Sequence, residues 1–131
     1  MLVSIIIRTL NEELYLDELL CAINSQNLNG FSCEIVVVDS GSIDNTLKIA
    51  KKHNARIAYI NKQDFTFGRS LNIGCEFANG EYLVFISGHC IPVDQNWLNS
   101  LVAPLIQNEC DYSYGRQIGR DTTKFSETQV F

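Results

Sequence analysis

The sequence predicts an α/β fold, a mostly parallel sheet flanked by helices. Three observations lead to it. Short apolar runs rich in β-branched residues alternate with stretches of helical periodicity, the pattern of βαβ units. The runs are apolar throughout, as in strands covered on both faces, rather than apolar at every second residue. The segments that follow the strands collect serine, glycine and charged residues, and open parallel sheets bind ligands at those carboxyl ends.

The first strand runs from Leu2 to Ile7. Leu16, Leu19, Leu20 and Ile23 then recur at i, i+3, i+4 and i+7, which predicts an amphipathic helix. Asn11 is its expected N-cap, with Glu12 and Glu13 at the positive end of the helix dipole. Glu34 to Val38 is the second strand, Asp44 to His53 the second helix and Arg56 to Ile60 a short third strand. A polar loop, Asn61 to Phe67, leads into a helix from Gly68 to Asn79, with Gly80 as the expected residue just past its end. Glu81 to Ile86 is the fourth strand, and Ser87 to Gln95 is a loop. Leu98, Leu101, Val102 and Leu105 mark one face of a further helix, and Cys110 to Gln117 reads as one more strand. The tail after Gly119 is polar and aperiodic.

The chain has 131 residues, enough for one buried core, and no repeat or linker divides it, so residues 1–131 are expected to be a single domain. A net charge of −5 disfavours nucleic acid and anionic lipid as partners, because both are polyanions. The five cysteines, Cys21, Cys33, Cys75, Cys90 and Cys110, are odd in number, widely spaced and without a C-x-x-C pair, which argues against a zinc site. Cys21 and Cys75 fall on apolar helical faces, where reduced cysteine packs as a small hydrophobe, so a reducing, cytoplasmic setting is expected. No stretch approaches the roughly 20 apolar residues that cross a bilayer. A peripheral attachment to an inner membrane would depend on segments outside this chain.

Four segments carry candidate chemistry. Asp39 ends the second strand and opens the turn Asp39-Ser40-Gly41-Ser42-Ile43-Asp44-Asn45. Its carboxylate either accepts the ring N–H of a uracil or thymine base, or, with Asp44, caps the turn and the helix. Arg8-Thr9-Leu10-Asn11 follows the first strand; its main chain could border a base and Arg8 could face a phosphate, or it is a loop with a solvated arginine. Arg69 lies where Phe67-Gly68-Arg69-Ser70-Leu71-Asn72 opens a helix, a place that suits a phosphate or a base carbonyl, unless the arginine pairs with a nearby carboxylate. Ser87-Gly88-His89-Cys90-Ile91-Pro92 puts a histidine at a strand end, as a metal or phosphate ligand or as a structural residue. His53, late in a helix, fits the structural reading.

These segments in this order resemble glycosyltransferase family 2. Val3-Ser4-Ile5-Ile6-Ile7-Arg8-Thr9-Leu10-Asn11-Glu12-Glu13 is similar to the family's opening, V-S-I-I-I-P-T-Y-N-E-E, with Arg8 in place of the proline. Glu34 to Thr46 is similar to the second motif, and Gly68 to Gly74 to G-x-x-x-A-x-N-x-G. Gly80 to Ile86 leads into the D-x-D position, where Ser87 and His89 stand instead of the aspartates. That loop, with Tyr114-Gly115-Arg116-Gln117, also resembles rhamnosyltransferase-like members. The resemblance implies a GT-A-type, Rossmann-like fold and an inverting sugar transfer from a UDP- or dTDP-sugar to a glycan or lipid-linked acceptor, in bacterial polysaccharide or cell-envelope synthesis. It implies a nucleotide site made of Thr9, Asn11, Glu12, Asp39, Gly41, Arg69, Ser87 and Gly88. His89 is the implied metal ligand, for manganese more than magnesium because its donor is an imidazole. In the competing reading, protonated His89 contacts the diphosphate and no metal is needed. The family's catalytic base lies downstream, and Asp121 and Glu127 have no motif context for it, so the chain is expected to be a truncated donor-binding part, inactive in transfer by itself. A non-catalytic nucleotide-sugar-binding module is the alternative. A nucleotidyltransferase would need a glycine-rich activating loop where Arg8 to Glu13 has no glycine.

Overall fold

A computed structural model describes residues 1–115. Its elements are β1 (Leu2–Thr9), α1 (Leu16–Asn24), β2 (Ser32–Asp39), α2 (Thr46–Lys52), β3 (Arg56–Tyr59), α3 (Phe67–Phe77), β4 (Tyr82–Ser87) and α4 (Trp97–Ile106). A single 3-10 turn, Lys62–Asp64, interrupts the expected loop before α3. The chain divides into two compact units, Met1–Asn99 and Ser100–Phe131.

In the first unit the four strands are parallel, in the order β3-β2-β1-β4. The chain moves outward from β1 to β3, then returns through α3 to lay β4 on the other side of β1. This reversal leaves a crevice outside the carboxyl ends of β1 and β4. Ile6, Val36, Val38 and Ala58 form the core on the α3 face, with Ile73, Cys75 and Phe65 against them. By strand alternation Ile5, Ile7, Ile35 and Val37 point to the opposite face, and all four are buried. Each such side chain contributes about 1.5–3 kcal/mol by leaving water. α3 approaches the sheet closely because residue 74 is glycine: a Cβ there would collide with the Ile6 side chain. The outer strand departs from the expectation of a sheet covered on both faces. Val84 is buried, whereas Leu83 and Phe85 are exposed, because β4 is the edge of the described sheet.

Two expected element ends and the expected packing of one cysteine are corrected. α1 begins at Leu16 with Tyr15 as its N-cap residue, not at Asn11. Asn11 adopts a left-handed φ of +53° and its side chain turns to the β2–α2 loop, where Oδ1 accepts from Ile43 N–H at 2.8 Å. Gly80 does not end α3, whose last helical residue is Phe77. Gly80 instead lies against β1: its N–H donates to Ser4 Oγ at 2.8 Å, and a Cβ would stand 2.5 Å from that oxygen. Cys21 is exposed rather than packed on the apolar face of α1, which is made by Leu16, Leu19, Leu20 and Ile23.

In the second unit, the end of α4 is followed by Asn108 in a left-handed conformation, and Ser113 Oγ donates to Leu101 O at 2.6 Å. Residues 110–115 form no strand, because no neighbouring strand pairs with them, and Tyr112 and Tyr114 are exposed. Arg116 and Gln117 of the expected strand, and the polar tail, lie outside the described residues.

Candidate functional site

The carboxyl ends of β1 and β4 border a cleft of about 470 Å³, lined by Arg8, Thr9, Leu10, Glu12, Ser40, Phe65, Phe67, Ser87 and His89. Strand register brings its parts together, with Arg8 opposite Ser87 on β4 and Thr9 opposite Asp39 on β2. Arg8 is fixed at two points. Its Nη2 donates to Ser87 Oγ at 3.1 Å, and its guanidinium lies 4.5 Å from the Phe67 ring centroid. Phe65 packs edge-on to Phe67 with ring centroids 5.5 Å apart, so the wall is aromatic with a cation held on it. His89 Nδ1 and Glu12 Oε1 stand 3.6 Å apart. Gly88 lets the β4–α4 loop lie on the end of β1: its N–H donates to Arg8 O at 3.1 Å, and a Cβ would meet Glu12 Cγ at 2.9 Å.

Asp39 is buried, and its carboxylate is spent within the protein. Oδ1 accepts from Thr9 Oγ1 at 2.8 Å and Ser42 Oγ at 2.5 Å. Oδ2 accepts from the N–H groups of Gly41 and Ser42 at 3.0 and 2.8 Å. These four bonds match the roughly four acceptor positions of a carboxylate. Of the two readings the sequence left open, the geometry favours the turn-forming one, and Gly41 supplies the φ of +110° that the turn needs. The neighbouring Ser40 lines the cleft, with its hydroxyl donating to Thr9 O at 3.3 Å.

The β1–α1 and β2–α2 loops are laced together beside the cleft. Asn11 N–H donates to Ser42 Oγ at 2.9 Å, Glu12 N–H to Thr46 Oγ1 at 2.8 Å and Glu13 N–H to Asp44 Oδ2 at 3.2 Å. Asp44 also accepts from Thr46 N–H and Oγ1 at 2.9 and 2.5 Å. Burial pushes the Asp44 carboxyl up, but these hydrogen bonds outweigh it and hold the group below its ordinary value.

The expected site residues therefore separate. Thr9, Glu12, Ser87 and His89 line the cleft; Asn11, Asp39, Gly41 and Gly88 shape the loops around it. Arg69 lies elsewhere, in a second hollow of about 420 Å³ with Tyr59, Asn61, Asp64 and Asn72, and its Nη1 donates to Asp64 O at 3.2 Å. Ser40, Leu10, Phe65 and Phe67 are the lining residues that sequence reasoning missed. The signal for Ser40 was its place directly after the strand; for Phe67 it was an aromatic side chain at the start of a helix, and Phe65, half-buried against the core, carried none.

A doubly wound parallel sheet with a cleft at its switch point defines a nucleotide-binding α/β fold of the GT-A type. The family profile described as Glycosyl transferase family 2 matches residues 4–130, and the chain belongs to that family. The poly(ribitol-phosphate) β-N-acetylglucosaminyltransferase TarS of Staphylococcus aureus is 32% identical over 87 residues, 63% of this chain and 15% of TarS. Glycosyltransferase AglE of Haloferax volcanii is 33% identical over 108 residues, 79% of this chain and 35% of AglE. The chain thus spans well under half the length of these relatives. Among solved structures, residues 1–349 of S. aureus TarS in complex with UDP-GlcNAc superpose with a TM-score of 0.66 at 28% identity, covering 82% of this chain and 32% of that one. Glucosyl-3-phosphoglycerate synthase of Mycobacterium tuberculosis, in complex with Mn²⁺, UDP and glucosyl-3-phosphoglycerate, gives a TM-score of 0.66 at 26% identity, covering 79% and 39%. No described helix is long and apolar enough to cross a membrane.

Proposed function

We propose that the chain is the donor-binding part of an inverting glycosyltransferase that takes a UDP- or dTDP-sugar and delivers the sugar to a glycan or lipid-linked acceptor in bacterial polysaccharide or cell-envelope synthesis. The observation that carries this reading is the cleft at the β1/β4 switch point, with Arg8 anchored on one wall and His89 on the rim. Fold similarity to a glycosyltransferase crystallised with UDP-GlcNAc supports it. In this reading Ser40 and the main chain at Thr9 border the base, and the aromatic wall of Phe65 and Phe67 covers an apolar part of the donor. The Arg8 guanidinium supplies a permanent positive charge for the diphosphate. Asp39, Asn11, Gly41 and Gly88 act by holding the loops, and Arg69, bonded to Asp64 O in the second hollow, is left out of the donor site.

The residues present fit a divalent cation. Glu12 and His89 offer an oxygen and a nitrogen 3.6 Å apart, a pair that would suit a manganese-type ion. When bound, such an ion would neutralise the leaving diphosphate. Glu12 and His89 would hold it, and Arg8 stays bonded to Ser87.

Calorimetry with UDP and dTDP, in manganese and in chelator, tests the reading. Binding of either nucleotide is expected, and Arg8→Ala should weaken it about tenfold, the worth of one charge-assisted hydrogen bond. Absence of binding under both conditions overturns the reading. Binding undiminished by chelator assigns the diphosphate to Arg8 and His89 directly. A second reading, a module that binds the donor without transferring sugar, is favoured for this chain by one feature: among the described residues lining the cleft, Glu12 is the only carboxylate, and it faces His89. A transfer assay with donor and acceptor should then give no turnover.

A further inference from the structure

Away from the cleft, three side chains with metal-ligating atoms converge where α1 and α2 pack together. Asp17 and Cys21 stand one turn apart on α1 and therefore share a face. His53 closes the end of α2 and reaches across to both. Its Nε2 lies 2.8 Å from Asp17 Oδ1 and 4.0 Å from Cys21 Sγ, and the three ligand atoms all fall within 4.8 Å of one another. A tetrahedral zinc ion, with bonds of about 2.0–2.3 Å, keeps its ligand atoms roughly 3.3–3.8 Å apart, so small side-chain adjustments suffice.

Two further observations go beyond an ordinary aspartate–histidine pair. Both the carboxylate and the thiol address the same imidazole nitrogen, which is the arrangement left when an ion replaces a proton. The ring's other nitrogen, Nδ1, is held by the Asn24 amide at 3.2 Å. The facing atom is Asn24 Nδ2, whose N–H donates to Nδ1, so the proton on Nε2, shared with Asp17, is the one an ion would displace. Cys21 is also exposed, which is unusual for a cysteine that merely packs.

We propose that Asp17, Cys21 and His53 bind a thiophilic divalent cation of the zinc type, with water as the fourth ligand, and that the ion clips α1 to the end of α2. This site is separate from the cleft pair Glu12–His89. The absence of a C-x-x-C motif does not bear on it, because its ligands come from two helices 32 residues apart. Lys52 sets a limit on its strength: Nζ lies 3.3 Å from Asp17 Oδ1 and competes for the same oxygen.

Cobalt(II) is the probe, added to the untagged 131-residue chain, because a cobalt–thiolate bond gives a charge-transfer absorption that oxygen and nitrogen ligands do not. The band is expected in the native chain, is displaced by zinc and is lost in Cys21→Ser, a tolerated change at an exposed position. His53→Gln should weaken zinc more than about tenfold. Lys52→Gln should tighten zinc about two- to fivefold by removing a competing surface charge, a sign that damage to the fold would not produce. In the native chain, zinc should also shield Cys21 from alkylation, read by mass spectrometry. A missing cobalt–thiolate band, a band that survives in Cys21→Ser, or zinc-independent alkylation of Cys21 overturns the proposal.

Discussion

The two ends of the sheet use their carboxylates differently. At the amino ends of the strands Glu34 accepts from three partners, and a fourth residue closes the group through Ser4. Ser4 Oγ donates to it at 2.6 Å, Asn79 N–H at 2.6 Å and Arg56 Nη1 at 3.0 Å, and Gly80 N–H in turn donates to Ser4. Arg56 also donates to Phe77 O. β1, β2, β3 and the turn before β4 are tied by this group, and none of its members lines either of the two hollows described above. At the carboxyl ends Asp39 closes a turn in the same way, yet Arg8, Glu12 and His89 beside it line a cleft. A carboxylate at a strand end is therefore not a ligand-binding group by position. What separates structure from site is whether its lone pairs are already taken.

The sharpest way to break this comparison is to remove Glu34. Glu34→Ala leaves the buried Ser4 hydroxyl and the Asn79 N–H without their acceptor, while exposed Arg56 keeps Phe77 O, and should cost about 2–3 kcal/mol of stability. Nucleotide affinity at the opposite end should stay within about twofold, since sites this far apart behave independently. Urea unfolding and calorimetry on the same variant check both. A fall in nucleotide affinity without loss of stability would show that the two ends do not have separate roles.

The next effect separates holding from reading at the cleft. Asp39→Ala should lower stability by about 2 kcal/mol, because it leaves two hydroxyls and two N–H groups without their acceptor. It should weaken nucleotide binding at least about tenfold through the disordered turn. Ser40→Ala should weaken binding with almost no change in stability. Should Asp39→Ala weaken binding while stability is unchanged, Asp39 contacts the base directly and the turn reading fails.

Much of the architecture was legible because it rests on local pattern. The runs that became β1 to β4 and the leucine spacing of α1 need no knowledge of partners, and the strand-end rule located the cleft. The misreadings involve partners far along the chain. Gly80 looked like a helix terminator, but its reason is Ser4, 76 residues away. Asn11 looked like an N-cap, but Ser42 and Ile43 claim it across 31 and 32 residues. Asp39 stood open in the sequence between a base and the turn, and the structure adds that Thr9, Gly41 and Ser42 bring four donors to its two oxygens. Cys21 sat beside an apolar stripe without belonging to it, and its closeness to His53 depends on how two helices pack.

The smallest expected effect is a difference in how the two ends respond to acid. Burial raises the Glu34 carboxyl, but hydrogen bonds from Ser4 and Asn79 and the Arg56 guanidinium outweigh burial and hold it below the ordinary value of 4.5. Asp44 at the carboxyl end is likewise held below its ordinary value of 3.8 by Thr46 and the Glu13 N–H. A lowered folded value means that the unfolded chain binds the proton more readily. The stabilisation is therefore complete above the unfolded value and is lost as pH falls through the folded one. Glu34→Gln keeps the shape and removes the charge. Its deficit relative to the native chain should shrink as pH drops below about 4.5, by an amount under about 1 kcal/mol. Asp44→Asn should show the same trend beginning lower, below 3.8. Urea midpoints of the three proteins between pH 6 and roughly pH 3 would resolve the order. If the Glu34→Gln deficit is constant across that range, the carboxylate contributes shape rather than charge, and the closed network at the amino end is held by geometry alone.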